Sequence, residues 1–248
     1  MAHEVTYLAN TAGSTRSSPC VTCSYREAGF CSALSLPPSL DPQADNNWQH
    51  FKGADAGKQI LTKGSSSDHV FVLCAGWAFQ YIQLSDGGRQ LLKFLLPGDP
   101  FSSVSIFEAT SHLSVKALTR VQISGFARSE IRNRCFAEPD AQSPITQSIV
   151  SDARDTTEFL AVLGQCPAEQ RIAYLLLHLI RRIAARRVSR EQRYPFPLRQ
   201  QHIADTVGLT SVHVSRVLSL FRDRRIVALS EGVLEVVDLA ELERIGSL

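Results

Sequence analysis

The chain has 248 residues, 44% of them hydrophobic, and a net charge of only +2. This length allows one large or two small domains with real cores. The longest apolar stretch falls far short of the roughly 20 residues that span a bilayer, and the N-terminus lacks the basic start and apolar segment of an export signal. We therefore expect no membrane segment and a cytoplasmic protein, in which clustered cysteines bind metal more often than they form disulfides.

Residues 1–40 are rich in Ser, Thr, Pro and small residues and contain Cys20, Cys23 and Cys31. This composition predicts an arm with little core of its own, which needs a ligand to become ordered. A tight turn lets Cys20 and Cys23 bind one metal centre, and Cys31 closes the site from the far side. These thiolates suit zinc and an iron–sulfur cluster equally well, and an arm without a ligand is the alternative.

Short apolar or alternating runs follow, separated by Gly-Ser, Asp-Gly-Gly and Pro-Gly-Asp turns. They predict the strands of a small antiparallel β-roll or barrel, in a domain that we delimit as residues 41–138. The runs are residues 59–61, 70–73, 79–84, 91–96, 115–118 and 121–123.

After Pro139 and Pro144 the pattern becomes helical, and we delimit a long helix as residues 139–164. Side chains at spacings of four and three form a seam along one side of it, and we predict that this seam pairs with a second copy in a two-fold dimer. The alternative is that the helix docks on the roll. Polar residues in the middle would weaken the pairing and let a ligand control it. The seam consists of Ile145, Ile149, Asp152, Thr156, Phe159 and Leu163.

The C-terminal domain, residues 165–248, begins with a second predicted helix at 168–187. Residues 199–225 predict two short helices joined by a turn at Gly208, which is the pattern of a helix-turn-helix DNA reader. Thr210 is expected to cap the second of these helices. Residues 227–237 predict a β-hairpin wing.

Charge is unevenly distributed, because residues 171–225 hold twelve arginines, no lysine and three acidic residues. Taken alone, Arg181, Arg182, Arg186 and Arg187 are expected to form a solvated helix face. Next to a helix-turn-helix, contact with DNA phosphates becomes the expected use of some of these arginines.

The order of roll, long helix, helix-turn-helix and wing resembles the Crp/Fnr superfamily of bacterial transcription regulators over nearly the whole chain. The resemblance is firmest in the helix length between Pro139 and Arg171 and in RQQHIADTVGLTSVHVSRVLSL. The arm PCVTCSYREAGFCSAL is similar to that of the oxygen-responsive Fnr branch of α-proteobacteria. The resemblance to the Crp/Fnr superfamily implies an α+β fold: an N-terminal antiparallel β-roll of the cyclic-nucleotide-binding type, a long dimerisation helix and a C-terminal winged helix-turn-helix domain. It also implies a homodimer on palindromic double-stranded DNA, with RNA polymerase as a further partner.

The same resemblance favours a [4Fe–4S] cluster on Cys20, Cys23 and Cys31. The fourth cysteine of the Fnr branch is missing, because Gln122 stands in its strand. Cys74 and Cys135 are candidate substitutes, and a non-cysteine donor or an external thiol also remains open. Cys166 is expected to be structural.

Relatives that bind cyclic nucleotides hold the phosphate with a Gly-Glu pair and, about ten residues later, an Arg followed by Ser or Thr. Here Gly98 and Asp99 are followed by no arginine before Arg120. No cyclic nucleotide is therefore expected.

We expect the start of the second helix of the helix-turn-helix to meet base edges in the major groove. Arg216 is predicted to donate twice to guanine, while Ser215 and His213 bond a base or a phosphate. Many Fnr-like relatives carry Glu where Val212 stands; valine would instead touch a thymine methyl, which predicts a different half-site. The full predicted set is Arg199, Gln200, Thr210, Ser211, Val212, His213, Ser215 and Arg216.

The leading hypothesis is a dimeric regulator that releases DNA when its cluster is lost to oxygen or nitric oxide. A second hypothesis replaces the cluster by haem, zinc, a thiol switch or no effector, with His69, His112 or Cys74 as candidate residues. A thiol oxidoreductase is disfavoured, because its motif normally opens a helix in a thioredoxin-like unit. We find no other catalytic motif and expect no enzyme.

Overall fold

The computed structural model describes residues 23–25, 29–32, 49–137, 139–186 and 192–248. Cys20, Arg187 and most of the predicted arm lie outside these residues. The side chains of residues 134–144, including that of the candidate ligand Cys135, lie outside them as well.

The predicted antiparallel β-roll is present, and seven of its strands lie among the residues that the structure describes. One sheet has the order β1-β7-β3 and the other the order β2-β6-β4-β5. Each predicted run overlaps one of the strands β2 to β7. Strand β1 was not predicted, because its sequence contains no apolar run. The strands are β1 (Gln49–Ala54), β2 (Gln59–Leu61), β3 (His69–Ala75), β4 (Ala78–Gln83), β5 (Arg89–Leu95), β6 (Ser114–Ala117) and β7 (Val121–Ala127).

Strand β3 separates two cores, because successive side chains on a strand point to opposite faces. Leu73 faces the roll interior, where it packs with residues such as Phe101 and Ile123. Val70 and Val72 face the other way, toward a cluster that includes Phe30 of the arm. The arm is thus anchored on the outside of the roll.

Helices follow the roll and lead into the C-terminal domain. The predicted long helix is α3 (Pro139–Gln165), and the predicted second helix is α4 (Ala168–Ala184). Helix α2 (Arg128–Ala137) precedes them and was not predicted, because its sequence is mostly polar. A short arm helix, α1 (Gly29–Ser32), and a 3-10 helix (Ser103–Ile106) complete this region.

The C-terminal domain has the predicted winged helix-turn-helix architecture. Its three-stranded sheet has the order β8-β10-β9, and the wing turns at Glu231 and Gly232, both with positive φ. Strand β8 and helix α7 were not predicted. The elements are β8 (Arg193–Pro195), α5 (Gln200–Val207), α6 (Ser211–Asp223), β9 (Val227–Ser230), β10 (Val233–Val236) and α7 (Leu239–Gly246).

The β-roll and the C-terminal domain share one hydrophobic core. Phe79 on β4 and Leu91 on β5 are buried in the same cluster as Leu176 on α4 and Ile203 on α5. Burial of apolar surface on this scale fixes the position of the C-terminal domain, which we also call the reader domain, on the roll.

Most side chains of the predicted dimer seam on α3 contact the chain's own domains. Ile145 and Ile149 pack into the cluster around Phe30. Asp152 is bound by Lys93 of β5 and accepts a hydrogen bond from Ser103 at 3.2 Å. The remaining members also act within the chain: Phe159 packs on Tyr174, Leu163 packs on the shared core, and Thr156 donates to the Asp152 carbonyl. Within the chain, the face with the 4-3 spacing packs on the roll, as the stated alternative had it. Pairing of this seam with a second copy stays a prediction.

Among the described residues, no helix combines the length and the apolar character needed to cross a membrane.

Candidate nucleic-acid interface and cysteine arm

The turn between α5 and α6 is fixed by two local features. Gly208 ends α5 with a φ of 66° and donates its N–H to the Ala204 carbonyl; glycine adopts this conformation cheaply. Thr210 caps α6, and its hydroxyl accepts a hydrogen bond from the His213 N–H at 3.2 Å. Both residues act as the sequence predicted, and together they set where α6 begins.

Helix α6 buries one face and presents the other. Val214, Val217 and Phe221 lie in the domain core. On the opposite side, the Val212 side chain is 61% exposed and Arg216 is also exposed. One open cleft joins this face to the start of α5, and it is lined by Gln200, Ser211, Val212, Ser215, Arg216, Ser219, Leu220 and Asp223.

All eight predicted DNA-contacting residues lie at the surface. Ser211 and Ser215 are half-buried, and the other six are exposed. Sequence analysis missed Ser219, Leu220 and Asp223, which line the same cleft. Their signal was available, since positions 212, 216, 219 and 223 repeat at the helical spacing of four and three.

The arginines of the C-terminal domain divide into two groups. Arg222, Arg224 and Arg225 at the end of α6 are exposed and suit contact with a phosphate backbone. Arg182 in the last turn of α4 and Arg186 just after this helix are turned inward, where both bind Asp99 of the roll. The expectation of a solvated face was therefore wrong for these two residues.

Asp99 is almost completely buried, at 9% exposure. Burial by itself raises the pKa of its carboxyl group, but Arg182, Lys93, Arg186 and the Leu96 N–H outweigh this effect and bring the pKa below its usual value. The acidic residue of the Gly98-Asp99 pair thus already has cationic partners within the chain. Arg120 is exposed and lies 3.9 Å from Asp55.

The described parts of the arm lie against the roll at two points. Tyr25 packs on Gly98, with its Cβ 3.5 Å from the position that a Cβ at Gly98 would take. Phe30 is 1% exposed and inserts into the cluster that also holds Ile145 of α3. Cys23 and Cys31, next to these anchors, are both half-buried.

These thiols suit a metal centre by donor type, because two soft ligands stand at fixed and partly accessible places. The part of the chain that the structure describes contains no group of three His, Cys, Asp or Glu side chains arranged to hold a metal ion. Cys20, which the prediction requires, lies outside that part. Of the candidate fourth ligands, Cys74 is half-buried at the end of β3, 3.8 Å from the Val72 carbonyl. Cys166 is buried beside Tyr174.

His69 and His112, the candidate residues for another effector, line one small cavity of the roll. Its volume is about 20 Å³, which is room for about one water molecule. His112 is engaged by Glu108, with 2.6 Å between Nε2 and Oε2. Burial and the neighbouring His50 lower the pKa of His69. A haem does not fit between these two histidines as they stand.

Comparison with protein families matches both halves of the chain. Residues 52–138 match the cyclic nucleotide-binding domain, and residues 170–245 match the Crp-like helix-turn-helix domain.

Among curated proteins, the chain is 31% identical to the nitrogen fixation regulation protein FixK of Rhizobium meliloti, over 77% of this chain and 83% of that protein. It is 27% identical to the transcriptional activator protein FnrL of Cereibacter sphaeroides, over 90% of each. The structure of FixK2 from Bradyrhizobium japonicum superimposes with a TM-score of 0.73 at 21% identity, covering 81% of this chain and 98% of that one.

Proposed function

Since the chain belongs to the Crp/Fnr family of transcription regulators, we propose that it binds a two-fold operator as a homodimer under the control of an iron–sulfur cluster on its cysteine arm. Its relatives are regulators and not enzymes, so the thiol oxidoreductase is set aside. The DNA-binding part of the proposal is carried by one observation, the exposed polar and basic face of α6 above a capped first turn.

The face of α6 suits direct readout of bases. Arg216 can donate two hydrogen bonds to guanine O6 and N7, and Val212 brings an apolar side chain to the position of a thymine methyl. The first turn of α6 offers N–H groups that suit a phosphate. Arg222, Arg224 and Arg225 add sequence-independent affinity.

A second face of α3 suits pairing with another copy. Val150 and Leu160 are 51% and 70% exposed, and exposed small residues lie between and beyond them at spacings of three and four. This outer stripe, which we propose as an alternative to the seam inferred from sequence, consists of Val150, Ala153, Thr157, Leu160 and Gly164. In such a dimer the two copies of α6 would lie about 34 Å apart, one turn of DNA.

The cysteine arm is the proposed sensor. Cys20, Cys23 and Cys31 would hold the cluster, with the fourth ligand among Cys74, Cys135, another donor or an external thiol. A bound cluster supplies a centre that oxygen or nitric oxide can destroy. The chain's own contribution is Phe30, because this side chain ties the arm to Ile145 and Ile149 at the base of α3. Order in the arm is thereby linked to the helix that carries the outer stripe.

The test uses protein purified without oxygen and an operator selected from random double-stranded DNA. We expect brown protein that contains iron and sulfide, binds a palindromic site, and loses both colour and binding after brief exposure to air. Cys23→Ser should abolish both properties, whereas Cys166→Ala, at a buried thiol away from the arm, should retain them. Tight operator binding by Cys23→Ser would contradict cluster control, and zinc in place of iron would replace the sensor while leaving the regulator.

A further inference from the structure

The turn between β5 and the 3-10 helix carries a buried carboxylate that joins two domains. Gly98 has a φ of +91°, a conformation that favours glycine, and Asp99 follows it. The Oδ2 atom of Asp99 accepts hydrogen bonds from the Leu96 N–H at 2.7 Å and from Arg182 at 2.5 Å. Its Oδ1 atom accepts from Arg186 at 2.5 Å. We call these three charged side chains the Asp99 joint.

Both arginines also hold the backbone of the roll. Arg182 donates to the Phe94 carbonyl at 2.8 Å, and Arg186 donates to the Pro97 carbonyl at 2.8 Å. The three charged side chains are only 12–16% exposed. Removing one partner of such a pair is strongly destabilising, because a buried charge is left uncompensated. The joint therefore fixes the end of α4 on the roll.

A second contact fixes the other side of the reader domain. Arg89 on β5 binds Asp205 of α5 at 2.6 Å, and Gln90 donates to the Thr206 carbonyl at 2.8 Å. Helix α5 is the first helix of the helix-turn-helix and is joined to α6 by a short turn. The orientation of α6 therefore depends on how α5 is held by β5 and by the turn that follows this strand.

The arm covers the same turn. Tyr25 packs directly on Gly98, and Arg186 donates to the carbonyl of Pro97, the residue before this glycine. Burial lowers the pKa of Arg186, whereas Asp99 and Tyr25 act in the opposite direction. The arm, the turn and the last turn of α4 thus meet at one place.

We propose that Asp99 is a positioning residue for DNA recognition: through Arg182 and Arg186 it sets the orientation of α6, and the arm stabilises this orientation by covering the Gly98 turn with Tyr25. The arm part rests on the proposed function, whereas the joint itself does not. The carboxylate that starts the family's nucleotide-binding segment serves here as an internal ligand for the reader domain.

The first experiment compares Asp99→Asn with the matched control Asp55→Asn, which removes a carboxylate from an exposed pair with Arg120. Each protein is titrated with the full palindrome and with a single half-site. If the two α6 helices of the Asp99→Asn dimer are misoriented, its affinity for the palindrome should fall by about 5-fold or more, which is the lower end of typical coupling energies between two sites. Its affinity for a single half-site should stay unchanged. A loss of folded protein would lower both affinities in proportion.

Hydrogen exchange provides an independent readout of the joint. In Asp99→Asn we expect faster exchange in β5 and α5, and Asp99→Glu should restore part of the protection because it keeps the charge. Arg182→Gln should reproduce the asparagine variant, and the double variant should add little, because both changes break one interaction. An unchanged ratio of palindrome to half-site affinity together with unchanged exchange would overturn the proposal.

The arm is tested with Tyr25→Ala in cluster-loaded protein. We expect the same selective loss of palindrome affinity as in Asp99→Asn, with iron content unchanged, and no further loss when the two changes are combined. Additive losses would contradict the link between arm and joint. If wild-type protein holds no cluster, the sensor proposal fails, while the Asp99 comparison still decides the positioning role.

Discussion

Helices α3 and α6 each pack one face against the chain, but they leave different surfaces exposed. Helix α6 presents Arg216 and His213 together with two apolar residues, Val212 and Leu220. Helix α3 presents Val150 and Leu160 with small residues at the positions between and beyond them. A basic and polar face suits a hydrated, charged partner, whereas an apolar face with small residues suits another helix. One chain therefore offers two docking surfaces of opposite chemistry, and each can be damaged without touching the other.

The largest effect is expected on the α6 face, from Arg216→Ala. A bidentate contact to guanine contributes about 1–3 kcal/mol of discrimination, and a dimer makes two of them, so operator affinity should fall by about 30-fold or more. The matched control is Arg222→Ala, because Arg222 is exposed at the end of the same helix and is paired with Asp223.

For Arg222→Ala we expect a smaller loss that is equal on operator and random DNA, as for a phosphate contact. Fluorescence anisotropy with both DNAs measures the difference. A variant Arg216→Ala that weakens both DNAs equally would show that Arg216 contacts phosphate and does not read a base.

The outer stripe of α3 is tested by Leu160→Glu, since Leu160 is 70% exposed. Two carboxylates brought together in a helical seam repel each other, and we expect a monomer at micromolar concentration with an intact fold. Thr156→Glu is the control, because Thr156 is exposed but belongs to the seam inferred from sequence. Sedimentation velocity distinguishes the two registers: dissociation by Thr156→Glu alone would restore the sequence-based seam.

The inner side of α3 is expected to affect stability alone and only at acidic pH, through His178 on α4. Burial and the nearby Arg182 lower the pKa of His178 to about 4, and its ring lies 3.9 Å from Asp155 of α3. The unfolded chain takes up a proton near pH 6.5, before the folded protein does, so stability is full above that pH and falls as the pH drops toward 4. The slope is at most about 1.4 kcal/mol per pH unit.

Urea unfolding between pH 7 and 4.5 measures this loss. His178→Phe should flatten the dependence, and the exposed His213→Gln should leave it as in the wild type. A wild-type dependence retained in His178→Phe would assign the titration to another group.

A region could be predicted from the sequence where turn and cap residues mark the ends of its helices and strands. The helix-turn-helix was predicted in full because Gly208, Thr210 and the wing turn mark its boundaries. Strand β1 and helix α2 have no such marks, and their place is set by pairing and packing with distant segments. The helical period of α3 could be read from the sequence. Two stripes of similar spacing run along this helix, however, and the spacing alone does not say which stripe packs on the roll.

The Asp99 joint lay beyond the reach of sequence patterns for a related reason. Arg182 and Arg186 stand 83 and 87 residues from the carboxylate that they bind. In the sequence around the end of α4, they cannot be distinguished from exposed arginines. Contacts between residues so far apart become visible only when the tertiary fold brings the two domains together.

The hydrophobic core shared by β4, β5, α4 and α5 has a consequence for how the protein can be taken apart. Excising the C-terminal domain would expose Leu176 and other side chains that now lie in the shared core. The isolated fragment should therefore aggregate more readily and unfold less cooperatively. Calorimetry of the intact chain should show the roll and the reader melting as one transition. In a regulator with such a shared core, the sensor domain cannot be exchanged without also changing the side chains that pack against the DNA-binding domain.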